Sequence, residues 1–415
     1  DPSLWPVIPA LPSYGRGREM PGPRYSSLLH CHNLTDVVIT GACVRVQHTA
    51  VAQPDHRVLQ LTACYGSPRA TAHRVLQLTV CYSSPRATAV CCTTITSPTS
   101  LSPVRACVPP CMCDHGVIDG GGAAWWERKR GGVLQHSRGA VVEALWSSAV
   151  TVANVTLANA PAWALHPVYC THVQVFNVTI TAPPDSPNTI GIVIDSSEDV
   201  LIEGVTVTTG GGGISIKSGW DEYGLAFARP SHTVTIQHSH IQTPLAAALS
   251  IGSEMSGGVH SLRCRHLSVS HSRAAFHLRT APGRGGYIRD VLVENVTMLN
   301  VTVALAFLPT CRSHPDDRFD PSALPRVANI SFASISGSLI SQAGSLIGLP
   351  AAPFKGVSLS DINLQLVEGG KGFKCQDVEG RARNVSPAIC PELSPSEADP
   401  LKCRGCSSVR ELHQR

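Results

Sequence analysis

Two kinds of residue in this chain have types and spacing that could do chemistry. The first is cysteine, of which there are 16. Cys31, Cys43, Cys64, Cys81, Cys91, Cys92, Cys107, Cys111 and Cys113 crowd the first quarter, and Cys375, Cys390, Cys403 and Cys406 form a second group near the end. The short spacings Cys111-x-Cys113 and Cys403-x-x-Cys406 could hold zinc through thiolates, but they do not repeat the usual paired geometry. Clustered cysteines at the ends of a β-rich chain read instead as disulfides of a secreted protein. No cluster of His, Asp and Glu has metal-ligand spacing, so neither metal nor cofactor is expected. The second kind is glycine. Four in succession, Gly210 to Gly213, interrupt the strand-like stretch NTIGIVIDSSEDVLIEGVTVTTGGGGISIKSG over 188–219. Glycine within a strand marks a bend, a bulge or the close approach of another molecule, so this run reads as a site or the remains of one.

Those residues need a frame, and the composition favours an extended one. Charged residues are 15% and aromatics 5%, while Gly, Ser, Thr, Val and Ile are plentiful, which suits β structure better than helix. From Val150 onward a unit of apolar-x-apolar-x-polar-apolar-x-apolar form recurs. Its polar position falls at Asn154, Asn177, Gly204, His238, His266, Asn295, Ser334 and Asp361, at intervals of 23 to 39 residues. Such intervals, each holding short alternating strands and turn residues, fit the stacked coils of a parallel β-helix, whose neighbours together make one core. A β-sandwich would place turn signals every ~8–12 residues, and these are not consistently present. Asparagines at successive turns are read as an inward hydrogen-bonded ladder, structural rather than catalytic.

Four regions follow: an N-terminal covering segment and first coil over 1–42, an insertion over 43–113, the β-helix over 114–370 and a cysteine-containing tail over 371–415. The insertion carries RVLQLTACYGSPRATA (57–72) and again RVLQLTVCYSSPRATA (74–89), two copies where a solenoid needs at least three. It lacks the coil pattern and is expected to be disordered. It also holds six arginines against one acid, Asp55. The formal charge of +4 therefore resides there, and the rest is nearly neutral, which argues against nucleic acid. No run approaches ~18 apolar residues, so no membrane span is expected. Seven Asn-x-Ser/Thr sequons, at Asn33, Asn154, Asn177, Asn295, Asn300, Asn329 and Asn384, fit a secreted, extracellular or cell-wall location. The absence of a starting Met fits a signal peptide that is removed or lies outside the chain.

Further blocks carry a resemblance. WPVIPALPSYGRGREMPGPRYSSLLH, NLTDVVITG, IDGGGAAWWERKR, APAWALHPVYCTHVQVFNVTI, APPDSPNT, IKSGWDEYG, IGSEMSGG, GRGGYIRD and HPDDRFDPSALP together resemble plant-type polygalacturonases of glycoside hydrolase family 28. The likeness covers nearly everything except about 43–113. It implies an all-β, right-handed single-stranded parallel β-helix, the pectin-lyase-like solenoid. It also implies hydrolysis of α-1,4-galacturonan with inversion, by an acid and a base about 6.5–9.5 Å apart. The three aspartates of that chemistry align with Ile190, Gly211 and Gly212, so all three carboxylates are absent. Asp195 and Glu254 are the weak substitutes. Asp221 and Glu222 are also candidates, placed in a loop after Trp220 where they could cap a turn. The resemblance gives Lys217, His277 and Arg279 to the substrate, Arg279 as a cation able to grip a uronate in bidentate fashion. It makes Cys375 and Cys390 the first choice of disulfide pair. Three functions compete: a pectin-directed, weakly active hydrolase, a non-catalytic binder of acidic polysaccharide, and a degenerate gene product. A monomer is expected in each case. Restoring Asp at 190, 211 and 212 would test whether the frame can still hydrolyse.

Overall fold

The computed structural model describes residues 5–40, 116–311 and 313–393, and the backbone of 43–46. Apart from the strand Cys43–Val46, which pairs antiparallel with Thr35–Thr40, the expectations about the insertion lie outside the described residues, as do Cys403 and Cys406.

The alternation of branched apolar and polar residues produces short strands that stack in parallel, coil upon coil, into one continuous sheet curled on itself. The face that matters for function comes from β1 (Ala140–Leu145), β2 (Trp163–Val168), β3 (Ile190–Asp195), β4 (Gly212–Lys217) and β5 (Ala247–Ile251). It continues through the C-terminal ends of β6 (Val259–Arg279) and β7 (Tyr287–Leu308). Register places Leu165, Ile192, Ile214, Leu249, Phe276 and Leu305 in one inward row. Ile194, Ile216, Ile251, Leu278, Phe307 and Leu346 form a second. Every one of these side chains is buried, so each coil is covered by the next and a single core runs the length of the stack.

The corners explain the repeat. All eight polar positions that define it, from Asn154 to Asp361, have φ between 49° and 64°, in the left-handed region. Asn, Asp, His and Gly occupy that region most readily, which is why these types recur there and a bulky apolar residue does not. Here the structure corrects the sequence reading: the asparagines point outward, not inward, and Asn177 meets Asn154 at 3.4 Å on the exposed surface. All seven sequon asparagines share this left-handed, exposed setting. Corner geometry therefore accounts for them without a glycan.

Two boundaries differ from expectation. The coils do not stop at 370: β8 (Arg326–Ile347), β9 (Phe354–Gln376) and β10 (Val378–Ser386) continue the parallel ladder to Ser386. The alternation over Phe373–Val385 is weak because the outer surface there is polar, which masks the strands. At the other end, Thr40 pairs with Ala153 and Gly116 with Val155, so residues 41–115 stand where the next coil places only Asn154. Cys375 and Cys390 are joined in a disulfide.

Candidate functional site

The outward face of the same strands carries the expected residues. Ile190 and Gly212 are register partners, with Gly211 just before β4, so the three positions lie together on two neighbouring coils. Ile190 packs with Trp163, Ala140 and Val193 in a small apolar cluster of its own, separate from the main core. The glycine run is closely packed. A Cβ at Gly211 would lie 2.5 Å from backbone atoms of Asn188 and Thr189, and Gly212 adopts φ 150°. An aspartate at 211 would therefore require the backbone itself to move.

One step further along, Asp195 and Lys217 are partners in register. Asp195 is fully buried: the Tyr14 hydroxyl donates to its Oδ2 at 2.5 Å, and the Ser196 hydroxyl donates to Oδ1 at 3.3 Å. Lys217 is also buried and makes an ion pair with Glu254, while its ammonium donates to the Gly252 carbonyl at 3.2 Å. The loop at 252–258 holds Glu254 in place, since Ser218 N–H donates to its carbonyl at 2.9 Å and Gly257 N–H donates back to Ser218 at 2.6 Å. Burial alone would raise the Glu254 carboxyl. The cations Lys217, Arg18 and Arg279 outweigh it and hold the group well below the usual carboxylate range. Glu254 is thus an ionised partner, not a proton donor.

His277 and Arg279 stand at the end of β6, both half-buried, two residues apart and so on one face. His277 follows Val193, Ser215 and Ser250 in one outward row. Its Nε2 is buried without a hydrogen-bond partner. Burial, then Arg279 and Arg273, push the imidazole down to about 4, so it is neutral near pH 6.

The structure thus groups Ile190, Gly211, Gly212, Asp195, Lys217, Glu254, His277 and Arg279 on one face. It removes Asp221 and Glu222 to a different place. They open the helix α1 (Asp221–Phe227) rather than a loop, and Asp221 is fully buried in an ion pair with Arg284 and a 2.6 Å contact to His314. Sequence reasoning missed Tyr14 and Arg18, which the covering segment brings over this face. The signal available was the pairing of small and charged residues in SYGRGRE, where glycines let a short loop carry arginine to a distant coil. A concavity of about 670 Å3 lies elsewhere, along exposed corners lined by His238, His266, Asn295 and Ser334. None of the expected site residues lines it.

Parallel coils stacked in this way define a right-handed parallel β-helix. The model of glycosyl hydrolases family 28 matches residues 111–390, and the chain belongs to that family. A probable polygalacturonase from Vitis vinifera is 32% identical over 95% of this chain and 66% of its own length. A polygalacturonase from Juniperus ashei is 27% identical over 72% of the chain and 57% of its own. The chain therefore spans between about half and two-thirds of the length of these curated relatives. Among solved structures, an exopolygalacturonase from Thermotoga maritima superposes with a TM-score of 0.65 at 20% identity, covering 93% of this chain and 76% of that one. The polygalacturonase from Erwinia carotovora gives 0.52 at 21%, covering 64% and 69%. At these identities the two structures bear on the fold alone.

Proposed function

We propose that this protein is a secreted, monomeric polygalacturonase-like protein of the cell wall that binds acidic pectic polysaccharide and hydrolyses it weakly or not at all. One observation carries the reading: the acids left on the face are already engaged, while cations remain. Inverting hydrolysis needs one carboxyl ready to give a proton and one free to activate water. Asp195 is sealed under Tyr14, and Glu254 is held ionised against Lys217. Lys217 is for the same reason a neutralised cation rather than a free ligand for substrate. Arg279 is half-buried, without an ion-pair or hydrogen-bond partner for its guanidinium, and can grip a uronate carboxylate with two parallel N–H donors. The neutral His277 beside it offers a ring nitrogen to a sugar hydroxyl. Location outside the cell is supported by the Cys375–Cys390 disulfide.

The test has two parts. Reducing-sugar release from polygalacturonate between pH 4 and 7 is expected to stay at background (roughly the range in which such carboxylates titrate). Calorimetric titration with oligogalacturonate is expected to show binding that Arg279→Ala weakens by about tenfold or more, the loss of a charge-assisted pair. Turnover that disappears in Asp195→Asn or Glu254→Gln would instead establish a hydrolase with substitute catalysts. Absence of binding by the wild type would remove the proposal altogether.

A further inference from the structure

One group of titratable side chains takes no part in the face that runs from Ile190 to Arg279. It lies on the side of the stack that follows the turn at Ser196 and Ser197, on the strands Glu198–Glu203, Ser231–Gln242 and β6. Register pairs Glu198 with His232 and His232 with His260, so the three stand one above another on successive coils. They are far apart in sequence, and no spacing rule along the chain connects them.

The imidazoles of His232 and His260 are parallel, 6° apart in plane and 4.8 Å apart between centroids, the spacing of neighbouring strands. Each ring is oriented by the residue that follows it. His232 Nδ1 lies 3.1 Å from the Thr233 hydroxyl, and His260 Nδ1 lies 3.1 Å from the Ser261 hydroxyl. Thr233 and Ser261 both occupy the left-handed region, at φ 54° and 55°, so the two rings are presented alike. Nδ1 donating to a hydroxyl leaves the lone pair of each ring on Nε2. A Glu198 carboxylate oxygen stands 3.0 Å from Nε2 of His232. The cation next in register, Arg289, is paired with Asp290 and lies over the Tyr287 ring. A second pair on the same two strands, His238 and His266, is stacked equally, at 4.8 Å and 6°. Among the described residues neither a carboxylate nor a hydroxyl orients that pair. Stacking therefore follows from coil spacing alone, and the oriented nitrogens with a carboxylate beside them are what set the first pair apart.

Two imidazole nitrogens and a carboxylate oxygen are the ligands of a borderline dication such as zinc, and hydroxyls on Nδ1 are the outer contacts that ligating histidines use. Zn–N distances are about 2.0–2.1 Å, so the rings must lean together by about 1–2 Å. Both are half-buried on the outside of the stack, and the soft χ2 torsion of histidine permits this. We propose that Glu198, His232 and His260 form a surface site for a divalent transition-metal ion of the zinc class. The two Nε2 atoms and a carboxylate oxygen bind the ion, and the remaining position is left to water. The ion ties three successive coils together, and because the ligands meet only in the folded stack, binding stabilises the fold.

Calorimetric titration of the full, metal-free chain with zinc tests this, together with melting in its presence. Thiolates elsewhere in the chain can also take zinc, so the readout is the difference between wild type and variant. His232→Ala and His260→Ala are each expected to lose one equivalent of bound zinc and the rise in melting temperature that it brings. His238→Ala, which breaks the other stack, should lose neither. Ser261→Ala keeps all three ligands and should weaken the site by about tenfold, a loss that a merely structural histidine would not show. Calcium, which takes about six to eight oxygen ligands, should not displace the zinc. A melting temperature equal to wild type without zinc shows that each variant folds. Equal zinc equivalents in wild type and His232→Ala overturn the site and leave Glu198 and His232 as an ordinary surface ion pair. Equal losses in His232→Ala and His238→Ala also overturn it, since any exposed imidazole would then serve.

Discussion

Leu249 and Ser250 are neighbours on one strand and belong to two different worlds. Inward from Leu249 the row reads Leu165, Ile192, Ile214, Phe276 and Leu305, apolar at every rung. The outward row through Ser250 reads Val193, Ser215, Ser250, His277 and Ala306, a mixture of apolar, hydroxyl and imidazole side chains. The inward rungs share one dry space, so each side chain must fill what its neighbours leave. The outward rungs belong to smaller local packings, as Val193 does with Ile190 and Trp163, so a change there stays outside the main core. That asymmetry lets a coil stack persist on one side of a strand while Ile190, Gly211 and Gly212 stand on the other.

The sharpest way to break the comparison is to truncate both neighbours. Leu249→Ala should cost about 2–5 kcal/mol through lost burial and a residual cavity. Ser250→Ala gives up one exchange with Ser215 at 2.7 Å and should cost about 1 kcal/mol or less. Chemical denaturation of both variants checks the ratio, and equal losses would refute the two-sided picture.

Gly211→Asp probes where the outward face ceases to be free. Its Cβ meets the Asn188–Thr189 backbone, so a loss of about 1–3 kcal/mol is expected, as for an overpacked core site. A Cβ at Gly212 makes only ordinary contact, 3.5 Å from Ile190 and 3.8 Å from the Ala247 carbonyl, and its φ of 150° is the main opposition to Gly212→Asp. The thermal midpoint should fall further for position 211 than for 212. The reverse order would mean that the strand yields more readily than its contacts indicate.

A further effect concerns pH. His277 is at about 4 in the folded chain, against about 6.5 when unfolded. The unfolded state therefore binds the proton first as pH falls. The contribution of neutral His277 is whole above about 6.5 and disappears as pH drops through about 4. Unfolding followed across that window should show a shallower acid decline in His277→Gln than in wild type. Parallel curves would place the imidazole in water.

Much of the architecture was legible because stacking repeats its demands. The eight corner positions could be aligned by eye, since one conformation admits so few residue types. Their outward direction could not, because an inward ladder and an exposed corner leave the same spacing. The end of the stack was misplaced for a related reason: the strands beyond 370 carry Lys371, Lys374 and Arg381 on their outer surface, which dilutes the alternation. At the site, the glycine run and the acids Asp195 and Glu254 were legible as residues. The engagement of those acids was not. Tyr14 and Asp195 lie 181 residues apart, as no spacing rule could connect them. The same holds for the covering segment that brings Arg18 to Trp163.

The junction between Thr40 and Gly116 has a consequence for how this chain can change length. Both ends of the intervening sequence attach where the following coil turns on one left-handed residue, and the strands on either side keep step with it. A β-helix counts its length in strands, whereas a corner counts only as a hinge between them. Text added at a corner lengthens the sentence without shifting the lines beneath it. Joining Gly41 directly to Gly116 would restore the spacing of the next coil, and the ladder from Val37 to Ser386 has no register to correct.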